Sequence, residues 1–115
     1  MSVWMTFSVR GEPYALPLAE LREVIRVERI TPIPRAPAHA RGLTSVRGRL
    51  VPVIDAAIAL GGGPCPIGGT ARILIVHHEE RPLGILVEEV AGLVVDGDDT
   101  TPPRRLALPP LGGTP

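Results

Sequence analysis

The stretch of sequence that decides the fold runs from Gly42 to Asp55 and reads GLTSVRGRLVPVID. Two runs rich in apolar residues, 43–46 and 50–54, flank Arg47-Gly48-Arg49. Short apolar runs on either side of a glycine-containing turn are typical of two antiparallel strands joined as a β-hairpin. The centre of the chain is therefore predicted to be a hairpin with Arg47 at its turn.

The second strand of this hairpin carries two further signals. Pro52 lies inside it and cannot donate a ladder hydrogen bond, which predicts that the strand lies at a sheet edge or contains a bulge. Asp55 is the predicted N-cap of a short helix, 56–60, because its carboxylate can accept from the first free backbone N–H groups. Gly61 is expected to end that helix.

On the N-terminal side, residues 3–9 are apolar at every second position, which predicts a half-buried strand. Residues 14–18 resume the alternation after the turn signal Gly11-Glu12-Pro13, so a first hairpin is predicted. The apolar residues between Leu18 and Ile25 then fall at helical spacing, which predicts one or two turns of helix.

On the C-terminal side, strands are predicted over 72–78, 83–90 and 92–95, after a proline-rich loop over 32–37 and a Gly/Pro loop over 61–70. The total of six to eight short strands with few helices favours an all-β plan of small barrels or a sandwich.

Composition separates a domain from a tail and excludes several classes of function. Five of the 14 prolines lie in the last 14 residues, so residues 1–95 are predicted to form the domain and 96–115 an irregular or disordered tail. Twelve acidic residues balance 12 basic ones without a basic stripe, which argues against nucleic-acid binding. No apolar run approaches the ~18 residues of a membrane span, and no signal peptide is recognisable, so a cytoplasmic protein without membrane insertion is expected.

A search for reactive residues predicts no catalytic, metal or cofactor site. Cys65 is the single cysteine and lies in the Gly/Pro loop without a neighbouring base, so it reads as an incidental thiol. His77 and His78 are adjacent on a predicted strand and point to opposite faces, which argues against a shared metal ion. Glu88 and Glu89 diverge for the same reason. An enzyme that uses Cys65 or His77 is the least favoured alternative.

The segment 42–55, with its Arg-Gly turn, internal proline and closing aspartate, resembles the central signature of the CheW-like domain family. Residues 21–25, the proline-rich connector 30–37 and the hairpin 72–90 resemble family features in the same order. The resemblance implies two small SH3-like β-barrel subdomains with one or two short helices. It also implies a non-enzymatic adaptor between the cytoplasmic domain of a chemoreceptor and a CheA-type histidine kinase. A small β-barrel interaction module unrelated to chemosensing is the main alternative.

Four residues match family positions implicated in docking: Arg47, Glu23, Leu21 and Gly42. Arginine is favoured as an interface anchor because its planar guanidinium is presented rigidly. A small apolar groove between the subdomains, ringed by Arg and Glu, is expected to supply affinity. Each residue also has a structural alternative: a turn residue for Arg47, a salt bridge for Glu23, and packing and turn roles for Leu21 and Gly42.

The region after Val95 departs from the family pattern, which continues with two further strands and a terminal helix. One subdomain is therefore predicted to be incomplete at its C-terminal end and to expose a strand edge. Such an edge can add a partner's strand or drive self-association. We expect receptor docking to be kept and kinase coupling to be reduced or absent, as in short coupling proteins of the kind carried by the myxobacterial Frz system.

Overall fold

The protein is described by a computed structural model that covers residues 2–97 and 102–107. It contains nine strands, one short α-helix and one 3₁₀ turn over Leu18–Glu20 within these residues. The elements are β1 (Ser2–Val9), β2 (Glu12–Pro17), β3 (Leu21–Arg26), β4 (Ala40–Val46), β5 (Arg49–Asp55), α1 (Ala56–Ala59), β6 (Arg72–His78), β7 (Arg81–Val87), β8 (Glu89–Asp96) and β9 (Arg104–Arg105).

The strands form two sheets, which confirms the all-β prediction. One sheet has four strands in the order β8-β1-β2-β9, and the other has five in the order β3-β6-β7-β5-β4. No helix in the described parts of the chain is both long and apolar enough to cross a membrane.

Three hairpins share one kind of tight turn. The two-residue turns Arg10-Gly11, Arg47-Gly48 and Glu79-Glu80 join β1 to β2, β4 to β5 and β6 to β7. Both residues of each turn have positive φ, as in a type I′ turn, whose twist matches that of the flanking strands. The predicted central hairpin is therefore confirmed, with Arg47 at its tip.

The five-stranded sheet closes on itself through the segment that follows β3. Although β3 and β4 are its two edge strands, Thr31 exchanges two backbone hydrogen bonds of 2.8 Å with Leu43 of β4. The hydroxyl of Thr44 also donates to the carbonyl of Arg29 at 2.8 Å. The chain that leaves one edge is thus bonded to the other edge, which converts the sheet into a small barrel.

The helix predicted between Leu18 and Ile25 is wrong beyond its first turn. Residues 21–26 form β3, in which more and less buried side chains alternate with the period of a strand. Val24 and Ile25 are β-branched and suit a pleated surface, and β3 pairs along its length with β6. Tertiary pairing therefore overrides a short helical pattern in the sequence.

Pro52 occupies an interior strand, so the edge position predicted for that strand is wrong, and the bulge in its pairing with β4 lies on β4, between Ala40 and Gly42. Strand β5 lies between β7 and β4. Its parallel ladder with β7 covers only Val53 to Asp55 and begins one residue after the proline. Pro52 is thus placed where no ladder bond to β7 is formed, which explains how an interior strand tolerates it.

A single hydrophobic core joins the two sheets. Phe7 and Leu16 of the four-stranded sheet are fully buried in the same cluster as Ile73 and Leu86 of the five-stranded sheet. Burying a large aliphatic or aromatic side chain contributes about 1.5–3 kcal/mol, so this shared cluster couples the stabilities of the two sheets.

Part of the predicted tail, residues 96–115, is described and is held against the domain. Strand β8 reaches Asp96, and β9 pairs in parallel with Tyr14 and Ala15 of β2. Leu106 is buried, and the Arg105 guanidinium lies 2.7 Å from a carboxylate oxygen of Glu20. The rest of the tail, like residues 98–101, lies outside the described residues.

Candidate protein-docking site

Arg47 presents its side chain from the tip of the β4–β5 hairpin. Its backbone has a φ of 49°, in the left-handed region, and its side chain is 78% exposed. Holding a residue other than glycine in this region costs on the order of 1 kcal/mol. The cost is local. The turn conformation places a planar cation in solvent on a rigid support.

Glu23 receives the Arg47 side chain. It lies on β3, next to a bulge in the β3–β6 pairing between Leu21 and Glu23. Nη1 of Arg47 donates a hydrogen bond to Oε2 of Glu23, and the two side chains form an ion pair. Barrel closure makes this contact possible, because it brings β3 and the β4–β5 turn together from opposite edges of the sheet.

A small groove of about 270 Å³ runs beside this ion pair. Its apolar floor includes Ile25 and Val46, and charged residues of both signs surround it. Dedicated small-molecule pockets are usually about 300–1,000 Å³ and mostly apolar, so this groove suits a polar protein contact better. We call the groove and its rim the docking groove; its charged residues are Glu23, Arg26, Glu28 and Arg47.

The position of the docking groove differs from the one expected. All of its lining residues come from β3, β4 and the segments adjoining them. It therefore lies on the five-stranded barrel and not between the two subdomains. The reason is the closure of this barrel, which creates a junction between its own edge strands.

Leu21 and Gly42, the other two residues predicted to dock, have structural roles in this fold. Leu21 packs against the hydrophobic core and pairs with Val76 of β6. Gly42 has a φ of 144°, and a Cβ atom there would lie 2.1 Å from the carbonyl oxygen of Thr31. Gly42 thus permits the close approach that closes the barrel, and a docking role for either residue stays a prediction.

Asp55 supports the same barrel from inside. Its buried carboxylate accepts from the backbone N–H groups of Ala57 (2.9 Å), Ile58 (3.2 Å) and Cys65 (2.9 Å). The predicted N-cap is thereby confirmed. Nη1 of Arg41 also donates to it at 2.6 Å, a pair that sequence reasoning missed because no local signal links residues 14 positions apart.

Cys65 is a buried thiol with little nucleophilic character. Burial raises its pKa to about 11, and the carboxylates of Asp55 and Glu88 act in the same direction. Because only the thiolate is a good nucleophile, a cysteine that stays protonated at neutral pH is a poor catalyst.

The histidines make separate contacts. A ring nitrogen of His77 lies 3.0 Å from the Arg22 guanidinium, whereas His78 lies 3.7 Å from Glu79. Across residues 2–97 and 102–107, no three His, Cys, Asp or Glu side chains are grouped so that they could hold a metal ion.

The fold and the site define a class: a small all-β protein module of two sheets, whose candidate site is an exposed surface for binding another protein. The chain belongs to the CheW-like domain family, whose family model matches residues 4–110. The match confirms the family resemblance read from residues 42–55 and reaches beyond residue 95.

Individual relatives agree with this family. The chain is 33% identical to Protein PilI of Pseudomonas aeruginosa over 109 residues, which are 91% of this chain and 61% of that protein. It is 34% identical to Protein FrzA of Myxococcus xanthus over 110 residues, which are 93% of this chain and 64% of FrzA. The FrzA match is consistent with the suggested likeness to the Frz system.

The fold is also similar to the crystal structure of the scaffolding protein TtCheW from Thermoanaerobacter tengcongensis. The two share 28% sequence identity and a TM-score of 0.76, over 90% of this chain and 66% of TtCheW. The chain thus spans less than two thirds of the length of each of these relatives.

Proposed function

We propose that this chain is a non-enzymatic chemosensory adaptor of the cytoplasm, which binds the cytoplasmic domain of a chemoreceptor through the docking groove. The observation that carries the proposal is the Arg47–Glu23 ion pair, held on a rigid turn at the rim of the groove. Membership of the CheW-like domain family supports it. So do the names of relatives, such as the Chemotaxis protein CheW of Treponema pallidum.

The proposed mechanism is reversible docking without chemistry. Glu23 occupies one nitrogen of the Arg47 guanidinium and orients the plane of the group, which leaves further N–H donors for a partner. Ile25 and Val46 offer apolar contact beside these charges. The charged rim sets register and partner choice, whereas burial of the apolar floor supplies affinity.

Reduced or absent coupling to a CheA-type histidine kinase belongs to the same proposal. Within the described residues, the four-stranded sheet ends at the two-residue strand β9, where the resemblance implies two further strands and a terminal helix. A kinase surface that needs those elements would find fewer backbone and side-chain partners among the described residues.

The test is a binding assay with the cytoplasmic domain of the cognate receptor. Replacing Arg47 by Glu (Arg47→Glu) is expected to weaken binding at least about tenfold, as for loss of an interface anchor. Arg49→Glu is the matched control, because Arg49 is exposed, lies two residues away on the same hairpin and forms none of the groove contacts described above. Circular dichroism of each variant checks the fold.

A charge exchange separates docking from support of the fold. The double variant Arg47→Glu with Glu23→Arg restores an ion pair within the protein, but it reverses the charge that a partner would contact at each of the two positions. We expect it to bind as poorly as Arg47→Glu alone. Full recovery would show that only the internal pair matters, and unchanged binding by Arg47→Glu would remove Arg47 from the interface.

The same assay with the regulatory domain of the cognate kinase tests coupling, with a full-length coupling protein as the reference. We expect clearly weaker kinase binding than the reference gives. Equal binding would contradict reduced coupling. If wild-type protein binds neither receptor nor kinase, an interaction module unrelated to chemosensing becomes the better explanation.

A further inference from the structure

Strand β8 is an edge strand of the four-stranded sheet, at the opposite end of the sheet order from β9. It pairs with β1 from Glu89 opposite Ser8 to Asp96 opposite Ser2, with one bulge opposite the step from Thr6 to Phe7. None of the described strands pairs with its other side. Every second backbone N–H and C=O along such an edge is open to another strand, as in recognition by strand addition.

An apolar stripe runs along one face of this edge. Leu93 and Val95 of β8 are 58% and 47% exposed, and Val3 of β1 is 36% exposed. Val3 lies directly opposite Val95, and Met5 opposite Leu93, so these side chains share one face of two neighbouring strands. A contiguous group of exposed aliphatic side chains on adjacent strands marks an interaction site better than scattered ones do.

The stripe continues into a second groove. Beyond Val3, a hollow of about 450 Å³ is lined by Val3, Pro17, Leu18 and Ala19. Its walls are mostly apolar, so a segment that pairs with β8 could extend an aliphatic side chain toward the same surface.

The charges of this edge are all negative. Glu89 and Asp96 lie at its two ends, and neither takes part in the ion pairs formed among residues 2–97 and 102–107. Strand β1 carries no charged side chain that could balance them.

This pattern selects among possible occupants. A second copy would bring two acidic edges together with no basic residue on β8 or β1 of either copy, and like charges at a pairing edge are unfavourable. A second copy therefore does not complement the edge.

We propose that the β8 edge accepts an extended segment of another protein, one that has aliphatic residues at alternate positions and Arg or Lys at both ends. Backbone pairing with β8 supplies affinity, the aliphatic side chains cover Leu93 and Val95, and the terminal cations meet Glu89 and Asp96. This surface lies on the four-stranded sheet, whereas the docking groove lies on the five-stranded barrel, so the chain presents two separate binding surfaces.

The probe is a short, fluorescently labelled synthetic peptide of alternating Val and Thr with two Arg residues at each end. Its binding to the full chain is followed by fluorescence anisotropy. We expect the same peptide with Glu ends to bind at least about tenfold more weakly, because opposite charges favour one partner over the other. A peptide with Pro at its centre should not bind, because it cannot complete the ladder.

Substitutions on β8 test whether the peptide binds at this edge. Leu93→Arg should abolish peptide binding and leave the fold intact, because Leu93 is largely exposed. Ile67→Arg is the matched control, since Ile67 is 49% exposed and lies in the loop between α1 and β6. This variant should bind the peptide as the wild type does. The double variant Glu89→Arg with Asp96→Arg should reverse the preference toward the Glu-ended peptide.

The proposal would be overturned by no binding of the Arg-ended peptide, by equal binding of Arg-ended and Glu-ended peptides, or by unchanged peptide binding to the Leu93→Arg variant. Sedimentation of the wild-type chain should show a monomer. A dimer that Leu93→Arg abolishes would identify a second copy as the occupant and would also overturn it. Leu93→Arg should keep receptor binding, so this proposal and the docking groove can fail independently.

Discussion

Two residues of the central hairpin show opposite uses of positive φ. Gly42 has this conformation at a point where any side chain would collide with the backbone of Thr31, so only glycine fits. Arg47 has it at an open turn where glycine would be cheaper. An arginine at this position lowers stability, and it places an exposed cation on a rigid turn.

Replacing Gly42 by Ala is expected to lower the free energy of unfolding by about 2–3 kcal/mol, because strain and a backbone collision combine. Gly48→Ala is the control, since Gly48 also has positive φ but no atom lies within 4 Å of its added Cβ. It should lose only about 1 kcal/mol. Urea denaturation of both variants measures the difference. Equal losses would show that barrel closure does not depend on the close approach at Gly42.

The end of β5 is joined to its neighbours through the buried carboxylate of Asp55. Asp55 caps α1, binds the backbone of the loop at Cys65 and pairs with Arg41 of β4. Three segments that are separate in sequence therefore meet at one buried carboxylate. The same two strands, β4 and β5, carry the Arg47 turn at their other end.

Asp55→Ala is expected to lower the free energy of unfolding by about 3–5 kcal/mol, because it removes a cap and leaves buried donors without their acceptor. Asp55→Asn should cost less, because its amide oxygen can still accept from the start of α1. Chemical denaturation with both variants is the measurement. A loss below about 1 kcal/mol for Asp55→Ala would mean that water replaces the carboxylate without cost.

The whole molecule is held by a core that crosses from one sheet to the other, so we expect it to unfold as one unit. Leu86→Ala in the five-stranded barrel should lower the free energy of unfolding by about 2–5 kcal/mol. Trp4, the single tryptophan, lies on β1 in the other sheet and reports on it by fluorescence. The midpoints from Trp4 fluorescence and from far-ultraviolet circular dichroism should shift together. Separate midpoints would show that the two sheets unfold independently.

The elements that depend on residues close together in the chain could be predicted from the sequence. The hairpin at Arg47-Gly48, the cap at Asp55 and the strand over 72–78 depend on neighbours within a few residues, and each was predicted. The family could be predicted too, because the order of these local signals along the chain is specific to it.

Long-range pairing accounts for the rest. The strand nature of 21–26 and the interior place of Pro52 depend on β6 and β7, which are distant in sequence. The contact between Arg47 and Glu23 depends on the bond between Thr31 and Leu43, which closes the barrel. Composition and periodicity report on neighbours along the chain, whereas barrel closure joins two edges whose separation no local pattern encodes.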